Sequence, residues 1–170
     1  MSIRSRSERT EAASRILKVG LFVGLAGGLA EIAIVWLYSA ATGGDAAMVA
    51  RHVAAAVGLD RSSAVDGLAV HMGLAVALGI GLTAAVRVLG SRLAGTGAIF
   101  CFMLGILAAI WAINYFVILP GVSPALVHLL PYAVTLTSKL AFGFAAAMAL
   151  NVLKAGSVVA ENLDLARSLR

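Results

Sequence analysis

The chain has 170 residues, 61% of them hydrophobic and 12% charged, with a mean hydropathy of +1.00. A soluble domain of this length carries roughly 45–50% apolar and about 25% charged residues, so the polar residues here are too few to cover a water-facing surface. The net charge of +5 sits on basic residues that flank apolar stretches, which the cytoplasmic bias of basic loops in membrane proteins explains better than a nucleic-acid surface does.

Residues 1–15 are polar and rich in Ser and Arg, predicting a loose cytoplasmic basic arm. The first apolar span covers about 16–41. It exceeds the roughly 7–15 apolar residues of a signal-peptide core and carries Glu31, so a retained helix is expected. Gly43-Gly44 end it. Asp45 then caps a short helix over about 45–57, closed by Gly58. Met48, Val49, Val53 and Ala56 share roughly one side of it, with Arg51 and His52 elsewhere. That pattern predicts an amphipathic helix lying on the membrane face, in the first outer loop.

Ser63 and Asp66 have capping-box spacing and open a second span over about 64–89. Arg87 and Arg92 mark its far end, and Gly95-Thr96-Gly97 forms the turn. The third span covers about 98–119 and stops at Pro120-Gly121. Ser123-Pro124 starts the fourth with a serine cap and a proline at the first helical position. Pro131 is expected to bend this span, which runs over about 124–153, with Lys154 at its end and Gly156 as its stop. Residues 156–170 form a cytoplasmic tail, expected to hold one short surface helix. The single cysteine, Cys101, lies within the third span, where it reads as a small packing residue.

Each span has at least about 20 largely apolar residues, enough to cross ~30 Å of hydrocarbon. Strand alternation is absent, and lipid requires every backbone group to be bonded within the span, so the spans are helices. The expected fold is an all-α, integral-membrane four-helix bundle over 16–155. Arg4, Arg6, Arg9, Arg15 and Lys18 lie in the N-terminal arm and at the very start of the first span, Arg87 and Arg92 join the second to the third, and Lys154, Arg167 and Arg170 follow the fourth. The other side has Arg51 and Arg61, offset by Asp45, Asp60 and Asp66. Both termini are therefore expected in the cytoplasm.

Glu31, His71, Asn114 and Lys139 fall inside the spans. At 1.5 Å per residue, Glu31 and Lys139 lie ~12–15 Å below the outer surface, and His71 and Asn114 roughly 8–10 Å below it. An unpaired charge at the bilayer centre costs at least ~2.5–3.5 kcal/mol, which makes Glu31 and Lys139 candidate partners. Gly20, Gly24, Gly28 and Glu31 follow one another at helical spacing, and such glycines let helices approach closely in lipid. On the fourth span Tyr132, Thr135, Lys139 and Gly143 share a stripe, with Ser138 beside it. Tyr115, Trp36, Tyr38 and Tyr132 fall toward the outer interface as an aromatic belt, and Trp111 lies deeper as a packing residue.

Two readings of these groups stand side by side. One is a structural ion pair fixing helix register, with hydrogen-bonded supports. The other is a polar chamber for a proton, ion or small solute, open toward the outer side. His71 and Glu31 are candidate metal ligands by chemistry, imidazole and carboxylate suiting Zn, Cu, Fe or Ni. His52 and His128 default to surface roles. No CxxC, HExxH, phosphate loop, serine–histidine–acid order or catalytic carboxylate pair is present, and no motif implies a cofactor. Gly79-Ile-Gly81 lies mid-span, where helix packing explains it.

Gly24-Leu-Ala-Gly27 followed by an acid, Gly105-Ile-Leu-Ala-Ala leading to Pro120, and Leu130-Pro-Tyr132 followed by Ser138-Lys139 and Phe142-Gly143 cover about a third of the chain. In these stretches the chain resembles the YagU-like bacterial inner-membrane proteins, although such proteins carry an acid where this chain has Lys139. The resemblance implies a bacterial inner membrane and supplies no catalytic residues. Three functions follow from the sequence: a small transporter of a proton, ion or solute; an accessory subunit of a membrane complex with a structural polar cluster; or an intramembrane metal-binding protein or enzyme. The first is preferred, and a non-enzymatic role over an enzymatic one. The expected partners are the lipid bilayer and a second copy or larger membrane complex, without nucleic acid.

Overall fold

The computed structural model describes residues 3–59, 63–93 and 95–168. Asp60, Arg61 and Arg170, counted above in the charge distribution, lie outside the described residues. The order of elements is α1 (Ile3–Thr42), α2 (Ala46–Ala56), α3 (Ala64–Leu89), a 3-10 turn (Gly90–Leu93) and α4 (Thr96–Ile113). There follow a π turn (Asn114–Ile118), α5 (Leu119–Val122), α6 (Pro124–Leu129) and α7 (Tyr132–Ser168). No strand occurs among the described residues. Four stretches are long and apolar enough to cross a membrane: Thr10–Thr42, Ala64–Leu89, Thr96–Val122 and Tyr132–Gly156. Phe22, Leu29 and Trp36 are each 60% exposed and Val88 85% exposed. Apolar surface on that scale needs lipid against it.

The chain's own chemistry sets the helix ends. Gly43, at φ +70°, releases α1 into a turn, and the Asp45 carboxylate accepts from the Ala47 N–H at 2.8 Å to start α2. The Ser63 hydroxyl accepts from the Asp66 N–H at 3.1 Å to start α3. Ser123 differs from the expected side-chain cap: its backbone carbonyl, not its hydroxyl, accepts from Leu126 N–H. Pro131 breaks the fourth segment rather than bending it. Leu130, immediately before it, is extended (φ −129°, ψ 144°), the conformation a following proline favours, so α6 and α7 are separate helices.

Three other boundaries depart from the sequence expectation. The basic arm is helical from Ile3 and continuous with α1, and α7 passes Gly156 without stopping. The third segment passes Pro120 and ends at Val122. A proline within a helix withholds one donor and crowds the carbonyl four residues back, here that of Phe116. The widened turn over Asn114–Ile118, closed by Leu119 N–H onto the Asn114 carbonyl, absorbs both effects.

Antiparallel packing is evident from the contacts. Gly20 faces Ile80 and Gly28 faces Met72 and Ala75 between α1 and α3; Gly27 faces Phe142 between α1 and α7; Gly143 faces Met103 between α7 and α4. Thus α1 packs closely on both α3 and α7, and α4 on α7. The start of α1 and the end of α7 lie at one pole with the 3-10 turn, and α2, α5 and α6 at the other. Phe142, Met103, Leu107, Val23 and Ala146 form the fully buried core. Cys101 faces outward on α4 rather than packing inside.

At the α1–α3 contact backbone meets backbone. A methyl group on Gly24 would lie 2.5 Å from both the Val76 Cα and the Ala75 carbonyl oxygen, atoms that cannot rotate away. Gly81, on the outer side of α3, has nothing within 4 Å. Gly24→Ala should therefore lower the unfolding midpoint in detergent, by about 1–3 kcal/mol for overpacking of this kind. Gly81→Ala should be neutral or stabilising by up to about 1 kcal/mol, as helix propensity dictates. Equal effects of the two substitutions would discount the contact.

Candidate functional site

The glycine contacts of α1 bring Glu31, the one acid of its apolar span, between two neighbours. Glu31 is 5% exposed, and Lys139 of α7 lies 2.6 Å from its Oε1. On the other side His71 of α3 places Nε2 3.7 Å from Oε2, too long for a hydrogen bond. That Nε2 is buried and has no hydrogen-bond partner. Lys139 also lies over the Phe142 ring, 5.7 Å from its centroid. Phe142 is accommodated because Gly27 has no side chain: a methyl there would meet the ring at 2.6 Å. Two adjacent glycines thus serve two interfaces, Gly28 toward α3 and Gly27 toward α7, and Glu31 sits one turn beyond both.

Asn114 stays apart from this cluster. It lies in the π turn and makes no hydrogen bond or ion pair with Glu31, His71 or Lys139. The reason is the packing partner: its segment docks on α7, away from α1 and α3. The other side chains expected to support the site divide in two. Ser138 is buried beside Lys139, donating from Oγ to the Thr135 carbonyl at 2.9 Å. Thr135 donates to the Tyr132 carbonyl and accepts from the Trp111 indole N–H at 3.0 Å. Tyr115 stacks on Trp111, with centroids 5.6 Å apart, and both meet Tyr132 edge-on. Tyr132, Tyr115 and Thr135 therefore belong, with Trp111, to an aromatic neighbourhood on α4, the π turn and α7, one turn from the ion cluster. Trp111, read from sequence as packing alone, is also its hydrogen-bond donor.

A partly open cleft leads to the cluster. Glu31, His71 and Ser138 form its floor, and apolar side chains of α1, α2 and α3 form its walls. The cleft arises because α2 packs on α3 so closely that a side chain on Gly67 would collide with the Ala50 carbonyl. Ala46, Ala50 and Ala54 recur every fourth residue, and Ala54 is completely buried while Met48 is 41% exposed. That alanine spacing opposite Gly67 is the signal that marks the buried face. Arg51 turns away to pair with Asp45 at 2.7 Å, and His52 Nδ1 bonds the Met48 carbonyl at 2.9 Å. Neither His52 nor His128 joins His71 and Glu31. No group of three His, Cys, Asp or Glu side chains forms among the described residues.

Compared with protein-family models, with curated proteins and with solved structures, the chain has no match. The fold and the cluster define the class directly: a small, membrane-embedded all-α protein with four candidate spans and a buried glutamate–lysine pair where three helices meet.

Removing one member of a buried ion pair leaves the other uncompensated, which costs about 3–5 kcal/mol, whereas replacing both is often neutral. Lys139→Met should therefore destabilise the protein strongly in a denaturant titration, and Glu31→Gln with Lys139→Met should recover most of the loss. A double variant no more stable than Lys139→Met would contradict this coupling.

Proposed function

We propose that this is a multi-pass protein of a bacterial inner membrane that takes up a proton or small solute at the Glu31–Lys139–His71 cluster, reached through the cleft beneath α2. The state of His71 carries the reading. A purely structural polar network is stable when every member is hydrogen-bonded. Here the imidazole faces a carboxylate with its Nε2 buried and unpartnered, at the floor of a cleft. The resemblance to YagU-like proteins supports the bacterial location.

Both termini lie in the cytoplasm and α2 on the outer side. Supporting this, Arg15, Lys18, Arg87, Arg92 and Lys154 belong to the pole of the chain ends, while Arg51 at the α2 pole is paired with Asp45. In intact cells of a Cys101→Ala background, a membrane-impermeant thiol reagent should label Gly58→Cys and spare Gly95→Cys. The reverse pattern inverts the topology.

The uptake itself is read in proteoliposomes under an imposed pH gradient. Glu31→Gln should abolish the protein-dependent flux, and Lys139→Met should alter it. Flux unchanged in both removes these residues from any transport. A second reading, an assembly with other copies or subunits, has its own support. Gly97, Cys101, Gly105 and Ala109 recur every fourth residue on the outward face of α4, the same spacing by which Gly20, Gly24 and Gly28 dock α1 on α3. Mass measurement in mild detergent checks it: a solitary monomer counts against assembly.

A further inference from the structure

The shape and charge of the cleft narrow what it binds, and this step rests on the cluster being a working site. The walls, Val35, Trp36, Val49, Val53 and Leu68, are apolar, and the polar groups are confined to the floor. Trp36 and Leu68, 60% and 43% exposed, border the mouth. Trp36 is six residues from the end of α1 and Glu31 eleven, so the mouth lies ~9 Å and the floor ~16 Å from that end. The polar floor is therefore deep and the apolar walls lie above it. A phospholipid, whose head stays at the surface, has the opposite order.

The floor is already balanced, since Lys139 neutralises Glu31 at 2.6 Å. A cationic head adds an unbalanced charge there and an anionic head opposes Glu31; both are disfavoured at this depth. A neutral head remains. Nε2 of His71 and Oε2 of Glu31 are 3.7 Å apart, a separation that lets one oxygen stand roughly 2.8 Å from both. A hydroxyl there donates to the carboxylate and accepts from the imidazole N–H, satisfying the orphaned nitrogen. A carbonyl or ether, which only accepts, does nothing for Glu31. The His71 side chain is 27% exposed, leaving its ring room to adjust. We propose that the cleft between α1, α2 and α3 binds a membrane-soluble alcohol, with its hydroxyl between Glu31 and His71 and its hydrocarbon along Val35, Val49 and Val53.

Quenching of Trp36 fluorescence in the detergent-solubilised full chain tests this, with bromododecanol as the probe. Bromododecane and bromododecyl trimethylammonium are the comparators, and Trp36→Phe identifies the Trp36 signal. Quenching by the alcohol should saturate, be relieved by dodecanol, and have an affinity at least roughly tenfold above either comparator, as expected for a hydrogen bond to a charged group. His71→Phe should weaken it by a similar factor, and Val49→Phe, which fills the cleft without touching the ion pair, should remove the saturable phase. Equal quenching by alcohol and alkane, tighter binding of the ammonium, or alcohol affinity unchanged in Val49→Phe each overturns the proposal. The assay needs no gradient, so it is separable from transport. Saturable alcohol binding without Glu31-dependent flux sinks the uptake reading alone, and Glu31-dependent flux without alcohol binding sinks this one alone.

Discussion

The backbone of α1 comes so close to that of α3 that neither Gly24 nor Gly79 has room for a methyl group. In water, burial of apolar side chains would hold such helices together. In lipid that drive is missing, because the acyl chains are as apolar as the side chains, and close van der Waals packing takes its place. The buried ion cluster is arranged from this contact and its neighbour on α7. The α1–α3 approach at Gly24 and Gly28 sets the distance from Glu31 to His71, and the α1–α7 approach at Gly27 seats Phe142 and sets the distance from Glu31 to Lys139. A larger residue at these positions moves two charges apart at a depth where neither is stable alone.

The two halves of the bundle consequently differ in chemistry. Around Met103, Phe142, Ala146 and Leu150 the interior is dry and closely packed. The other half contains Glu31, Lys139, His71, Thr135 and Ser138, and its helices are irregular: α2 is short, Pro120 lies beyond a π turn, and Pro131 separates α6 from α7. The irregular segments sit at the pole nearest the polar cluster. A regular helix meets its own hydrogen-bonding needs and fills its interface with side chains. A broken one lets a short element such as α2 lean across its neighbours and enclose a cleft.

Much of this was legible in the residues. Long apolar spans bounded by Gly43, Ser63, Gly95 and Lys154 announce four crossing helices. The run of glycines ahead of Glu31 announces the packing face, and opposite charge at similar depth announces Glu31 and Lys139 as partners. Other features were legible only in part. Pro120 and Pro131 look alike in sequence, yet one is carried within a helical segment and the other divides two helices. The difference lies in the preceding turn, which widens before Pro120 and extends before Pro131. Asn114 is as polar and as deep as His71 by counting, but counting along one helix does not say which neighbour that helix faces. The contact face of α2 is hard to read along the chain for a similar reason: valine and methionine outweigh alanine in hydrophobicity, whereas the contact with Gly67 selects the smallest side chains.

By itself the sequence determined the class of this protein and its helical segments, because hydropathy and span length are local properties that lipid reads one segment at a time. It also limited the charges deep within the spans to Glu31 and Lys139. Only the tertiary structure decided that His71 and not Asn114 lies beside Glu31, that α2 closes over a cleft, and that the His71 nitrogen is left without a partner. Those outcomes depend on interhelical distances of a few ångströms. They are fixed by which glycine meets which backbone, and one strand of sequence does not record that.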